Sequence, residues 1–262
     1  MVENNEKVNT EVIDTEPGER EINLDIKQAI SEGFEGAAKP NTLKIGVIIW
    51  IINVLSFLFI PLQNETRSQL SDTSTIADPV VALLNIRVVE NVVVEGVITA
   101  FLSLLVIFVN IALIRILVSE RSEGIPGKFW KRRAFGAWIN LFVGGIVFGL
   151  ILGLGFLALL IPGIFLLLSL YLWMIYVAVD DENFVSAFGS SWETAKGHRW
   201  SLLGMFAALT VGQFIINAVG LGFSRLVAIA SPVVGGVVFT AFVAFTALFT
   251  FSVYASSYRQ LD

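Results

Sequence analysis

Apolar and polar positions come in blocks along this chain. Six apolar blocks, at about 44–62, 92–118, 137–161, 164–179, 200–222 and 233–254, alternate with short polar segments. Crossing a hydrocarbon core of about 30 Å takes about 20 helical residues, and blocks of about 16 to 27 match that need. The stretch from Ala137 to Val179 holds no charged residue. As one helix it would be about 65 Å long, more than twice the core, so it must reverse. Pro162-Gly163 lies midway, where proline removes a backbone donor and glycine accepts a sharp turn, and is the expected structural turn. The pattern predicts an all-α, polytopic membrane helical bundle of six transmembrane helices.

The polar segments divide the chain further. Residues 1–21 form an acidic N-terminal tail, with too little apolar surface to offset chain entropy, and are expected to be disordered. No cleavable signal peptide is visible, since the first long apolar run begins near Leu43. Over 22–42, Ile22, Ile26, Ala29, Ile30 and Phe34 recur at helical spacing, predicting an amphipathic lead-in helix. Its plain reading is a solvated approach to the first span; docking to a membrane surface or a partner is the alternative. The six-span membrane domain then covers 43–258. Its largest loop, Gln63 to Asn91, contains Asn64-Glu65-Thr66, a weak match to the N-glycosylation pattern.

Between spans four and five, Phe184, Val185, Phe188, Trp192 and Ala195 share one side of a helix and Ser186, Ser190, Glu193 and Lys196 lie mostly on the other. At about 13 residues this helix is too short to span. It is expected on the cytoplasmic side, flat at the interface or tucked under the bundle, with Phe188 and Trp192 as interfacial anchors. The preceding Asp180-Asp181-Glu182-Asn183 reads as a solvated helix cap.

Within the spans, the candidate intramembrane residues are polar. Glu95, Thr99, Ser103 and Asn110 form a stripe on span two, and Thr210, Gln213 and Asn217 share a face of span five. Such stripes either hydrogen-bond helix to helix or line a path for a solute. Packing is the preferred reading, because one acidic group near a span end is thin support for transport. Arg225, just past the outer end of span five, is a candidate partner for Glu95. Gly145, Gly149 and Gly153, four apart, suit close helix approach. Gly153 to Ala158 also fits a loose dinucleotide-binding pattern, rejected because no strand precedes it.

Composition and charge sharpen the picture. The chain is 55% hydrophobic and only 15% charged, and its net charge of −5 comes mostly from the first forty residues. There is no cysteine, and His198 alone builds no histidine metal cluster. Lys39, Lys44, Arg115, Arg121, Lys128, Lys131, Arg132, Arg133, Lys196, Arg199 and Arg259 fall near one set of span ends, against Arg67, Arg87 and Arg225 near the other. This bias places both termini in the cytoplasm of a multi-pass protein of the cell membrane. Trp130, Trp138, Trp173, Trp200, Tyr254 and Tyr258 would mark the inner interface. No phosphate-binding loop, nucleophile elbow or HExxH motif occurs, so the expectation is no enzyme, catalytic residue, cofactor or metal. The expected partners are the lipid bilayer and a membrane protein, with no nucleic acid; the oligomeric state stays open.

Leu160-Ile-Pro-Gly-Ile164, Val177-Ala-Val-Asp-Asp-Glu182 and Ser190-Ser-Trp-Glu-Thr-Ala-Lys-Gly197 carry a family resemblance. The chain resembles an archaeal branch of the six-helix membrane superfamily that includes the membrane domain of glycerophosphoryl diester phosphodiesterases. The resemblance covers about Leu24 to Tyr258. It implies a six-span domain, mostly of unknown activity and sometimes fused to a soluble phosphodiesterase. No segment here suits that catalytic domain, so the enzymatic activity is not expected to transfer. A non-enzymatic accessory or structural role is the leading expectation, with a small transporter as the alternative.

Overall fold

The computed structural model describes residues 24–59, 92–119 and 133–261, by backbone alone for 59 and 92–95. The acidic tail, the loop bearing Asn64 and residues 120–132 of the basic loop lie outside these described residues. Within them the chain is helical: α1 Ile26–Ala38, α2 Pro40–Phe59, α3 Val92–Val118, α4 Ala134–Ala158, α5 Leu160–Leu170, α6 Trp173–Val179, α7 Phe184–Ala195, α8 Arg199–Ala228 and α9 Pro232–Leu261. Six segments are long and apolar enough to cross a membrane: Pro40–Leu58, Gly96–Val118, Ala134–Ala158, Leu160–Val179, Arg199–Ala228 and Pro232–Leu261. The all-α bundle read from the apolar blocks is the architecture observed.

The reversal between the third and fourth spans is displaced from its expected place. It occurs at Leu159, whose backbone is extended (φ −167°, ψ 155°), and Pro162-Gly163 instead belongs to the first turn of α5. A proline there loses nothing, because the first N–H groups of a helix have no in-helix acceptor. Gly163 is needed for proximity: a Cβ at this residue would lie 2.4 Å from the Phe156 ring of α4. One extended residue therefore suffices for the turn, and the proline-glycine pair shapes the helix that follows.

The fourth span is itself interrupted at Tyr171-Leu172, between α5 and α6. A hydroxyl from α7 fills the gap in its hydrogen-bond ladder. Ser191 Oγ accepts from the Leu172 N–H at 3.1 Å and donates to the Ser169 carbonyl at 3.1 Å. Side-chain insertion of this kind is a recognised cause of helix breaks, and it fixes α7 against the span. The α7 cap comes from Asn183, whose side-chain oxygen accepts from the N–H groups of Val185 and Ser186.

The lead-in helix does not stand in solvent. α1 buries Ala29, Gly33, Gly36 and Ala37 and packs on α9, α8 and α2, with the Phe34 ring 4.3 Å from that of Phe249. Small residues on its inner face let the two backbones approach. α1 lies outside the spans, where withdrawing apolar surface from water is favourable, whereas inside lipid the spans rely on packing and hydrogen bonds. The two ends of the described chain meet here: the Asp25 N–H donates to Gln260 Oε1 at 2.8 Å. An even number of spans must separate them.

Candidate functional site

Polar chemistry gathers where α1, α2, α3 and α9 converge. Glu32, Glu35, Gly36 and Lys39 follow one another around one side of α1 at helical spacing, and Ser252 and Arg259, seven apart, share a side of α9. Together with Thr42, Ile116 and Leu117 they line a cavity of about 180 Å³. Gly36 sets its floor, since a Cβ there would come 3.1 Å from Ser252 Oγ.

Arg259 is the clamp of this site. Its Nη1 donates to the Leu117 carbonyl at 2.8 Å, satisfying a C-terminal carbonyl of α3, and its Nη2 pairs with Glu32 Oε2 at 2.9 Å. Glu32 also accepts from Ser256 Oγ at 2.7 Å and from Gln28 Nε2 at 2.7 Å. Burial pushes the Glu32 carboxyl up, but the bonds from Gln28, Ser256 and Arg259 and the charge of Arg259 outweigh it, and the group titrates below its ordinary value. Glu32 is thus held as a carboxylate, an ion-pair partner and not a poised acid. Two residues of the lining carry hydroxyls that are closed off from water. Thr42 Oγ1 and Ser252 Oγ, in residues 1% and 3% exposed, have no hydrogen-bond partner among the described residues.

A second polar cluster ties the end of the fourth span to its neighbours. Arg115 is 7% exposed, donates from Nε to the Ala178 carbonyl at 2.6 Å and pairs through Nη2 with Asp181 at 3.2 Å. Asp180 accepts from the Tyr258 hydroxyl at 3.0 Å, and Glu182 accepts from Ser190 Oγ at 3.0 Å. The acidic run is therefore not a solvated cap: its three carboxylates reach α3, α9 and α7, and Asn183 does the capping.

The predicted intramembrane residues fall into separate places. Gln213 Nε2 donates to Thr250 Oγ1 at 3.0 Å, and Asn217 Nδ2 donates to Thr246 Oγ1 at 3.3 Å, so both amides of α8 are engaged by α9. On α3, Asn110 Oδ1 is buried without a partner among the described residues. Ser103 is exposed and donates to the Thr99 carbonyl of its own helix, not to a neighbouring one. The side chain of Glu95, and with it any pairing to the exposed Arg225, lies outside the described residues. α9 packs against both α3 and α8.

Phe188 and Trp192 turn toward protein. Phe188 packs against Trp173 at 5.2 Å and Phe148 at 6.4 Å, while Trp192 meets Phe165 edge-on at 5.4 Å. The Arg199 guanidinium lies 4.4 Å from the Phe165 ring centroid and 5.2 Å from that of Trp192, a cation–π clasp joining α5, α7 and α8. Of the expected interfacial aromatics, Trp200 is exposed whereas Trp173 and Tyr258 are core residues. The residues that sequence reasoning missed are the ion pairs. Arg115, a lone cation inside an apolar run, was the available signal for one; Glu32 and Arg259, 227 residues apart, offered none.

Among the described residues no group of three or more His, Asp or Glu side chains is placed to hold a metal ion. No curated protein and no solved structure matches the chain. The family model for a domain of unknown function, DUF7847, matches residues 24–261, from the residue before the α1 cap to the last residue of α9, and the chain belongs to that family.

Proposed function

We propose that this protein is a non-enzymatic accessory or structural component of the cell membrane, with both termini cytoplasmic and a membrane protein as its partner. The observation that carries the reading is the use of Gln213 and Asn217. Both amides bind threonines of the neighbouring helix, which is how Asn and Gln hold bundles together in lipid. The resemblance to membrane domains that occur apart from any catalytic domain agrees with it. The excess of basic residues at the end where α1 and α9 meet supports the orientation, and the short helix α7 belongs to that cytoplasmic side.

The test is flux in proteoliposomes, set beside stability in detergent. If Asn217 serves packing, Asn217→Leu lowers stability by about 0.6 kcal/mol, the average for such bonds in membranes, and no proton or solute flux depends on it. A flux present in the parent protein and lost in a well-folded Asn217→Leu variant overturns the proposal in favour of a permeation pathway.

A further inference from the structure

On the reading that Gln213 and Asn217 serve packing, we propose that the exposed face of α8 beside them is the docking site of a second copy of this chain. The threonines of α9 fix which way the two amides point. The Thr250 hydroxyl donates to the Thr246 carbonyl at 2.8 Å, and the Thr246 hydroxyl to the Phe242 carbonyl at 2.9 Å. Each hydroxyl has one hydrogen, so toward α8 both can only accept. Gln213 Nε2 and Asn217 Nδ2 therefore face the threonines, and the amide oxygens turn away from them. Gln213 Oε1 and Asn217 Oδ1 receive no hydrogen bond among the described residues, and neither oxygen is closed off from the surface. Gln213 also keeps the second N–H of Nε2 unused among the described residues. Its amide is thus half engaged, with one donor and one acceptor open.

Depth makes these open positions count. Gln213 lies at the middle of α8 and Asn217 about 6 Å further along it. Both are inside a membrane-spanning segment, where hydrocarbon supplies no donor and an unmet polar group is costly. The face beside them is uncovered: Leu203, Ala207, Thr210, Phe214 and Leu221 recur at helical spacing and are exposed, Phe214 to 73%. Thr210 commits its own hydroxyl hydrogen to the Phe206 carbonyl at 2.7 Å, so the amide of Gln213 carries the open donor here. That amide is what favours a second copy over another occupant. Two copies inserted in the same sense and related by a twofold axis along the membrane normal set equal depths opposite one another, so Gln213 meets its own counterpart. A carboxamide complements itself: the free N–H of each copy donates to the free oxygen of the other.

The chain contains no cysteine, so single introduced thiols read the contact in the full protein reconstituted in lipid vesicles. Copies labelled with donor and acceptor dyes at Lys196→Cys, an exposed position before α8, should show energy transfer that falls as lipid dilutes the dimer. Gln213→Leu should raise the dissociation constant about tenfold, the scale of two such hydrogen bonds in membranes. Thr250→Val separates the contact from the fold. It removes the same internal bond as Gln213→Leu but leaves the Gln213 amide free to pair, so the dimer should persist. Oxidation should cross-link Thr210→Cys to its counterpart and leave Leu150→Cys, exposed to 63% on α4, unlinked. A monomer at every dilution overturns the proposal and leaves the open oxygens to a helix of another protein or to water. Equal loss of the dimer in Gln213→Leu and Thr250→Val, a dimer indifferent to Gln213→Leu, or cross-linking through Leu150→Cys in place of Thr210→Cys also overturns it. None of these results restores a permeation pathway; only a flux lost in Asn217→Leu does that, so the two failures are told apart.

Discussion

Arg115 and Asp181 show how much a single residue decides in this protein. Their side chains are 6% and 8% exposed, so each is a charge the surroundings would otherwise reject. Removing one partner strands the other. Asp181→Asn keeps a side chain that tolerates the positive φ of 59° at this residue, so the loss reads the charge and not the backbone. It should cost about 3 kcal/mol, and adding Arg115→Met should restore part of it, measured as a double-mutant cycle of thermal stability. Purely additive losses would mean the two charges are independent. The Glu32–Arg259 pair is more exposed, at 32% and 25%, and is worth less, on the order of 1 kcal/mol. The sign of its pH dependence is set by the lowered Glu32 carboxyl. A depressed folded-state value means stability present above the unfolded value of about 4.5 and lost as pH falls through the folded one. Glu32→Gln should therefore melt below the parent at pH 7, and the gap should close as pH drops under about 4.5. A gap that persists at the lowest pH would assign the effect to shape alone.

Among the elements, the glycines around the α4–α5 reversal behave in two opposite ways. A Cβ at Gly163 would press on the Phe156 ring, whereas Gly145, Gly149 and Gly153 have nothing within 4 Å among the described residues. The regular stripe that suggested close helix approach thus packs against no other helix described here, and packing instead requires Gly163 at the reversal together with Gly144 and Gly155 of α4. Gly163→Ala should destabilise by about 1–3 kcal/mol, while Gly149→Ala should be neutral or slightly stabilising through helix propensity, read from thermal melting in detergent. Equal effects would contradict the placement of the reversal at Leu159. In α7 the side expected to be solvated also carries structure. Ser190 donates to both oxygens of Glu182 at 3.0 Å, so Ser190→Glu would set two carboxylates together and should lower the melting temperature clearly more than Ser186→Glu. Matching melting curves would return Ser190 to the solvated side.

For the whole molecule, the shared end of α1 and α9 means that one labelling experiment reads the orientation. The chain contains no cysteine, so a single introduced thiol reports without background. Ala230, in the turn between α8 and α9, and Lys196, after α7, are both exposed and lie at opposite ends of α8. With both termini cytoplasmic, an impermeant maleimide should label Ala230→Cys in intact cells and leave Lys196→Cys unlabelled until the membrane is opened. The reverse pattern would invert the orientation and place the α1–α9 cavity on the outer face.

The sequence alone determined the six spans, the all-α class and the existence of the short helices α1 and α7, because each rests on a run or period of apolar residues that neighbours in sequence carry by themselves. Leu160 to Val179 had to cross, whatever it packed against. Which polar residues would matter was beyond its reach. The turn at Leu159 was hidden because Pro162 suits the start of a helix as well as the end of one. The docking of α1, the pairing of the acidic run after α6 with α3, α9 and α7, and the cavity at Thr42 and Ser252 depend on residues brought together from distant parts of the chain. Only the tertiary structure decided these, since whether a polar group is solvated, paired or left with an open valence is a property of what surrounds it and not of its own place in the chain.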